Sequence, residues 1–220
     1  MTLYIIRHGE TALNRQNIVQ GSGVDSDLNA VGRRQAQSFF NYYQNITFDL
    51  VVTSALKRTH QTVEPFLHHY RLKKSSIFDV NTTKLSDFKE RKWVQLRELN
   101  EISWGINEGK TANPESEVHF KKLMEDWSSG VYESRVEGGE SAAELRERTQ
   151  KFVDFIKTQS DKKNILVCTH GRTLLCLLTI LNETSLSKMN HFKHQNTGLY
   201  KIHLLDDEFI FELENDTRHL

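Results

Sequence analysis

Short unbroken apolar runs alternate along this chain with longer stretches in which apolar residues recur every three or four positions. The first run, Leu3-Tyr4-Ile5-Ile6, is strand-forming and ends on Arg7-His8-Gly9, where a glycine turns the chain before either side chain can be buried. That arrangement delivers a reactive group to the carboxyl edge of a sheet, where open α/β folds keep their ligands. Residues 14–27 are rich in Asn, Gln, Gly and Ser and read as a loop; Gln20-Gly21-Ser22-Gly23 would let backbone N–H groups face a ligand. Asn29 is placed to cap a helix running to about Tyr43, with Ala36, Phe39, Phe40 and Tyr43 on one stripe. Residues 48–53 read as a buried strand, Ser54 as the cap of the helix that follows, and Arg58 falls in that helix's first turns. Pro65 is expected to end or kink this helix near Glu64.

The pattern weakens over residues 68–97. A short strand is expected within residues 75–80, residues 84–92 are charged without a period, and the whole segment reads as a surface excursion too poor in apolar residues for its own core. Residues 96–109 then set carboxylates beside Trp104, Gly105 and Gly109, which suits a site better than a core. A helix is predicted over residues 115–127 through Val118, Phe120, Leu123, Met124 and Trp127. Ser141 and Glu144 form a capping box for a helix to about Lys157, with Leu145, Phe152, Val153 and Ile156 on its packing face. Residues 164–169 repeat the device of the N-terminus, an apolar strand ending in His170-Gly171, and a helix to Leu181 follows at once. Residues 197–205 and 208–214, joined by Asp206-Asp207, read as a terminal hairpin.

Composition narrows the classes. The chain has 220 residues, with 29 Lys+Arg against 29 Asp+Glu, so no global field favours nucleic acid or an anionic membrane. Cys168 and Cys176 cannot build a disulfide framework and are expected as buried, reduced thiols. No segment approaches the length of a membrane span and no signal-like N-terminus is recognisable, which gives the expectation of a cytoplasmic protein that binds neither nucleic acid nor membrane.

Two strands from opposite ends of the sequence thus each bring a His-Gly to one sheet edge, and Arg58 enters from a helix start. The motifs Arg7-His8-Gly9-Glu10-Thr11, residues 54–62, residues 101–109, Gly138-Gly139-Glu140-Ser141 and Thr169-His170-Gly171 together resemble the histidine phosphatase superfamily, in its phosphoglycerate mutase-like branch. The resemblance implies an α/β fold, three layers with a central, mostly parallel sheet flanked by helices, forming one domain over residues 1–220 with the excursion at about 68–97 and a helical lid at about 110–140. It implies that His8 becomes a phosphohistidine, that Arg7, Arg58 and His170 surround the phosphoryl group, and that Glu101 is the general acid. Asn14 and the chain around Gln20 and Gly21 would add phosphate contacts.

The residue types suit that chemistry on physical grounds. Phosphoryl transfer needs in-line attack and stabilisation of charge on the equatorial oxygens, so arginines and other donors must ring the nucleophile. Neutral imidazole is a competent nucleophile near pH 7 when its other nitrogen is held by an acceptor. Arginines bring bidentate geometry that lysines lack, and a carboxyl group can protonate the leaving alkoxide. A metal centre on His8, His170 and Glu101 is the chemical rival, but two arginines would repel a cation and no HExxH spacing is present. No cofactor is expected. The stretch from Glu101 to Glu140 is short for a phosphoglycerate mutase, so hydrolysis of a phosphomonoester is the expected reaction, with mutase-type transfer or non-catalytic binding of a phospho-ligand as the alternatives. The expected partner is a small phosphorylated substrate or a phosphoprotein; the oligomeric state stays open, a dimer among the options.

Overall fold

A computed structural model describes residues 1–72, 77–78, 92–159 and 161–220. Its strands are β1 (Thr2–Arg7), β2 (Leu50–Ser54), β3 (Ile77–Phe78), β4 (Trp93–Leu96), β5 (Asn164–Thr169), β6 (Leu199–Leu205) and β7 (Glu208–Asp216). Its helices are α1 (Ala12–Arg15), α2 (Ala30–Tyr43), α3 (Lys57–His69), α4 (Pro114–Ser128), α5 (Ala142–Lys157) and α6 (Gly171–Leu181). The strands form one sheet in the order β3-β4-β2-β5-β1-β6-β7. The first five lie parallel, β6 runs antiparallel to β1, and β7 antiparallel to β6. The mostly parallel sheet expected from the motifs is present.

Alternation along the central strands sorts the core into two layers. Tyr4 and Ile6 point with Val51, Leu166 and Cys168 toward Phe39 of α2 and Phe66 of α3. Leu3 and Ile5 point the other way with Val52, Ile165 and Val167, toward Phe152 of α5 and Leu174 and Leu178 of α6. Helices on both faces explain why β1, β2 and β5 read as unbroken apolar runs. A third cluster, Trp104, Leu123, Trp127, Leu145, Leu175 and Met189, ties α4 to the outer side of α5 and α6. Both cysteines are free and buried.

Asn29 accepts a hydrogen bond from the Gly32 amide, and the Ser141–Glu144 capping box forms as the spacing predicts. Three expectations need correction. Pro65 does not end its helix: it lies inside α3, which continues four residues beyond it to His69, and burial of Phe66 and Leu67 offsets the lost backbone bond. Ser54 ends β2 and leaves the N-cap of α3 to Leu56, which has no side-chain cap. The excursion at 68–97 is narrower than expected, because His68 and His69 finish α3 and Trp93–Leu96 is a fully buried strand paired with β2. The strand expected within residues 75–80 is found at Ile77–Phe78, while residues 79–91 lie outside the described residues.

Candidate functional site

Four strand ends meet at the carboxyl edge of the sheet. His8 follows β1 and His170 follows β5, which are hydrogen-bonded neighbours, and their rings lie 5.2 Å apart between centroids. The His8 backbone is fixed from both sides: its amide donates to the Thr169 carbonyl at 2.9 Å, and its carbonyl accepts from Asn196 Nδ2 at 2.8 Å. At Gly9 a Cβ would come within 2.7 Å of the Gly32 carbonyl oxygen, so only glycine lets the start of α2 approach this closely.

The His8 ring has one defined tautomer. Nδ1 lies 2.7 Å from the Gly9 carbonyl, which can only accept, so Nδ1 carries the proton and Nε2 presents a lone pair. Burial pushes the His8 pKa well below the ordinary histidine value, and Arg58 and Arg7 push it the same way. The ring is therefore neutral and basic at Nε2 in a buried site.

His170 is committed differently. The Arg58 guanidinium donates from Nε to His170 Nδ1 at 3.0 Å, so Nδ1 is an acceptor and the proton of the neutral ring sits on Nε2. Nε2 donates to Ser54 Oγ at 2.7 Å, and Ser54 Oγ in turn lies 3.0 Å from Thr59 Oγ1. Burial first, then Arg58, holds the His170 pKa well below the usual value.

Arg58 is fully buried, and burial lowers its pKa to about 10, which still leaves it cationic at neutral pH. Its Nη1 donates to the Val24 carbonyl at 2.6 Å and its Nη2 to the Gly21 carbonyl at 3.2 Å. Arg7 donates from Nη1 to His194 Nδ1 at 3.1 Å, while its Nε–H is buried with no partner among the described residues. Burial lowers the Arg7 pKa and the charge of Glu101 raises it. An unpaired buried guanidinium N–H costs free energy until an oxygen meets it, which marks this point as a place for an anion.

Glu101 is buried over the start of α6. Its Oε1 accepts from the amides of Ile102 (3.0 Å) and Thr173 (3.1 Å) and from Thr173 Oγ1 (3.2 Å). Among the described residues its Oε2 accepts only the Arg172 amide, at 3.2 Å. The unpaired amides of the α6 N-terminus thus fix the orientation of the carboxyl group and hold Oε1 more fully than Oε2. Oε2 is the oxygen left with room for a proton.

The loop residues are held in place by one another. Asn14 is part of a capping box with Thr11, accepting the Thr11 amide on Oδ1 at 3.1 Å; its Nδ2 donates to none of the described residues. Gln20 donates to Thr11 Oγ1 at 2.8 Å and accepts from Ser26. Gly21 stands where a Cβ would lie 1.9 Å from Glu108 Oε1, and Glu108 itself braces the loop by accepting the amides of Gly23 and Trp104. All eight residues expected at the site, Arg7, His8, Asn14, Gln20, Gly21, Arg58, Glu101 and His170, thus belong to one connected region. Ser54, Thr173, Asn196 and His194 join it without having been expected there. His194 has its pKa lowered to about 4, by burial first and then by Arg7. Ser54 could have been found from its place at the polar end of a strand; His194 has no local signal.

A neutral histidine beside two buried arginines, with a buried glutamate at the start of α6, occupies the edge of a three-layer α/β sheet and is suited to hold an anion. The chain belongs to the histidine phosphatase superfamily (branch 1), whose family model matches residues 3–92 and 80–217. It is similar to the mouse protein named Fructose-2,6-bisphosphatase TIGAR, with 31% identity over 154 residues, covering 70% of this chain and 50% of that protein. It is 28% identical over 229 residues to the Yersinia enterocolitica protein named Probable phosphoglycerate mutase GpmB, covering 100% of this chain and 95% of that one. Among solved structures, the alpha-ribazole phosphatase from Shigella flexneri superposes with a TM-score of 0.80 at 23% identity, covering 98% of this chain and 96% of that one.

Proposed function

We propose that the protein hydrolyses phosphomonoesters through a phosphohistidine on His8. The observation that carries this reading is the His8 tautomer: Nδ1–H is tied to the Gly9 carbonyl, and the bare Nε2 lies in the field of Arg7 and Arg58. His8 Nε2 attacks phosphorus, the ester P–O bond breaks, and Glu101 Oε2 gives its proton to the departing alkoxide. Arg7 Nε, Arg58 and Asn14 Nδ2 are the donors that take up charge on the equatorial oxygens. In the second half, the Glu101 carboxylate removes a proton from water, which attacks phosphorus; the P–N bond breaks, orthophosphate leaves, and His8 returns to its neutral form. The net reaction consumes one water and one ester and yields alcohol and phosphate.

The short stretch between Glu101 and Glu140 supports hydrolysis over mutase-type transfer, because little chain is available there to exclude water from the phosphoenzyme. Among the described residues no group of His, Cys, Asp and Glu could hold a metal ion, and no helix is long and apolar enough to cross a membrane. A small phosphorylated metabolite in the cytoplasm is the substrate we infer. The test is phosphate release from a panel of monoesters, with 3-phosphoglycerate to 2-phosphoglycerate interconversion measured beside it. Release that disappears in His8→Ala supports the reading. Interconversion outpacing release would make the protein a mutase, and tight ester binding without turnover would make it a non-catalytic binder.

A further inference from the structure

A cavity of about 580 Å³ shares Gln20 with the loop that lies against Arg58 and takes no part in the steps above. The neighbour of Gln20, Gly21, holds Arg58, and the lining also includes Trp104, three residues after Glu101. Val19, Ile106 and Phe120 add an apolar patch beside Trp104, within a lining whose other residues are mostly polar. Trp104 and Phe120 meet edge to face at 5.5 Å between centroids. Ile106 is 52% exposed and Phe120 40% exposed, so two large apolar side chains are left in water around a concavity while Trp104 behind them is buried. Single exposed apolar residues mean little, but several that converge on one concave space are the mark of a ligand wall.

The charges around the cavity decide what kind of ligand fits. Among its described lining residues Lys110 is the one lysine or arginine, against Glu115 and Glu117, with His119 beside them. A second anionic group would find no excess of positive charge there and would meet two carboxylates. The volume lies within the range of pockets that hold drug-sized ligands, about 300–1,000 Å³, and exceeds what a three-carbon acid requires.

We propose that the group esterified to the phosphate is uncharged, apolar and of aromatic size, packed against Trp104, Ile106 and Phe120 while the phosphoryl group is held at His8. This rests on the hydrolase reading above and adds the substrate class. A zwitterionic ester such as phosphoserine would have to set an ammonium and a carboxylate against the apolar patch and is disfavoured by their desolvation.

The test compares kcat/KM for 2-phenylethyl phosphate, ethyl phosphate and phosphoserine, whose leaving groups are all primary alcohols, so that the chemical step is matched. The phenylethyl ester is expected to exceed the ethyl ester and phosphoserine by at least about tenfold, the order of discrimination an apolar pocket supplies. Phe120→Ala and Ile106→Ser, both at exposed positions, are each expected to cut the phenylethyl value about tenfold and to leave ethyl phosphate within about twofold. Equal values for the phenylethyl and ethyl esters, a preference for phosphoserine, or variants that lower both alkyl esters alike would overturn the substrate class while leaving hydrolysis intact. Wild-type protein that turned over none of the three would contradict the hydrolase reading itself, and this proposal with it.

Discussion

The ends of β1 and β5 carry the same three-part device, an apolar strand, a histidine and a glycine, and use it in opposite ways. In His8 one ring nitrogen donates to a backbone carbonyl and the other is unengaged among the described residues. In His170 both nitrogens are taken, one by Arg58 and one by Ser54. Both rings are buried and neutral, so burial alone does not distinguish a nucleophile from a neighbour. What distinguishes them is which atoms surround each nitrogen: a carbonyl can only accept and a guanidinium can only donate, so each partner dictates where the imidazole proton sits. His8 is left as a base pointing into the site, and His170 as a rigid wall that orients Arg58.

The sharpest break of this comparison is to remove each ring in turn. His8→Ala is expected to lower kcat by on the order of 10,000-fold, because no other described group offers a free base to phosphorus, whereas His170→Ala should cost about 100- to 1,000-fold through loss of Arg58 alignment. Steady-state assays on one ester measure both, and equal losses would erase the distinction. Glu101→Gln is expected to lower kcat about 100- to 10,000-fold for an alkyl ester. The loss should be smaller for p-nitrophenyl phosphate, whose leaving group departs without a proton. A loss independent of the leaving group would remove Glu101 from the acid role.

Ser54→Ala leaves the His170 Nε2–H without an acceptor in a fully buried place, and frees the ring to adopt the other tautomer, in which Nδ1–H faces the Arg58 donor. About a tenfold fall in kcat is expected. Nitrogen chemical shifts of the His170 ring should move from the Nε2–H pattern toward a mixture, a change that simple loss of stability would not produce.

The smallest effect is on stability. His8 and His170 stay neutral in the folded chain, their pKa values lowered by burial, while in the unfolded chain they titrate near pH 6.5. As pH falls below that value the unfolded state takes up protons that the folded state does not, so stability is lost toward acid by about 1 kcal/mol per pH unit for each ring. Urea unfolding at pH 7.5 and 5.5 measures the slope, and His170→Gln should flatten it.

The same contrast marks how far the sequence alone could be read. β1, β2 and β5 were legible because a strand covered on both faces has to be apolar throughout, and Asn29 and Ser141 were legible because capping is local chemistry. β4 was hidden: four residues long, beside a charged stretch and with Gln95 in its middle, it is recognisable as a strand only through its pairing with β2. Pro65 was expected to end or kink its helix because its lost hydrogen bond is local, whereas the Phe66 and Leu67 burial that carries the helix past it is tertiary. His8, Arg58 and His170 stood out through motifs, but their division of labour did not. It depends on Ser54 lying 116 positions from His170 and His194 lying 187 from Arg7, contacts that only the sheet order creates.

The most direct test of the central claim is to quench the enzyme during turnover of a phosphate-labelled ester and locate the label by peptide mass spectrometry. With p-nitrophenyl phosphate, whose first step needs no acid, the account predicts an acid-labile phosphoryl group on the peptide holding His8, attached at Nε2, accumulating when Glu101→Gln slows the second step and absent from His8→Ala. Label on any other residue, or phosphate release that continues undiminished in His8→Ala, would contradict it.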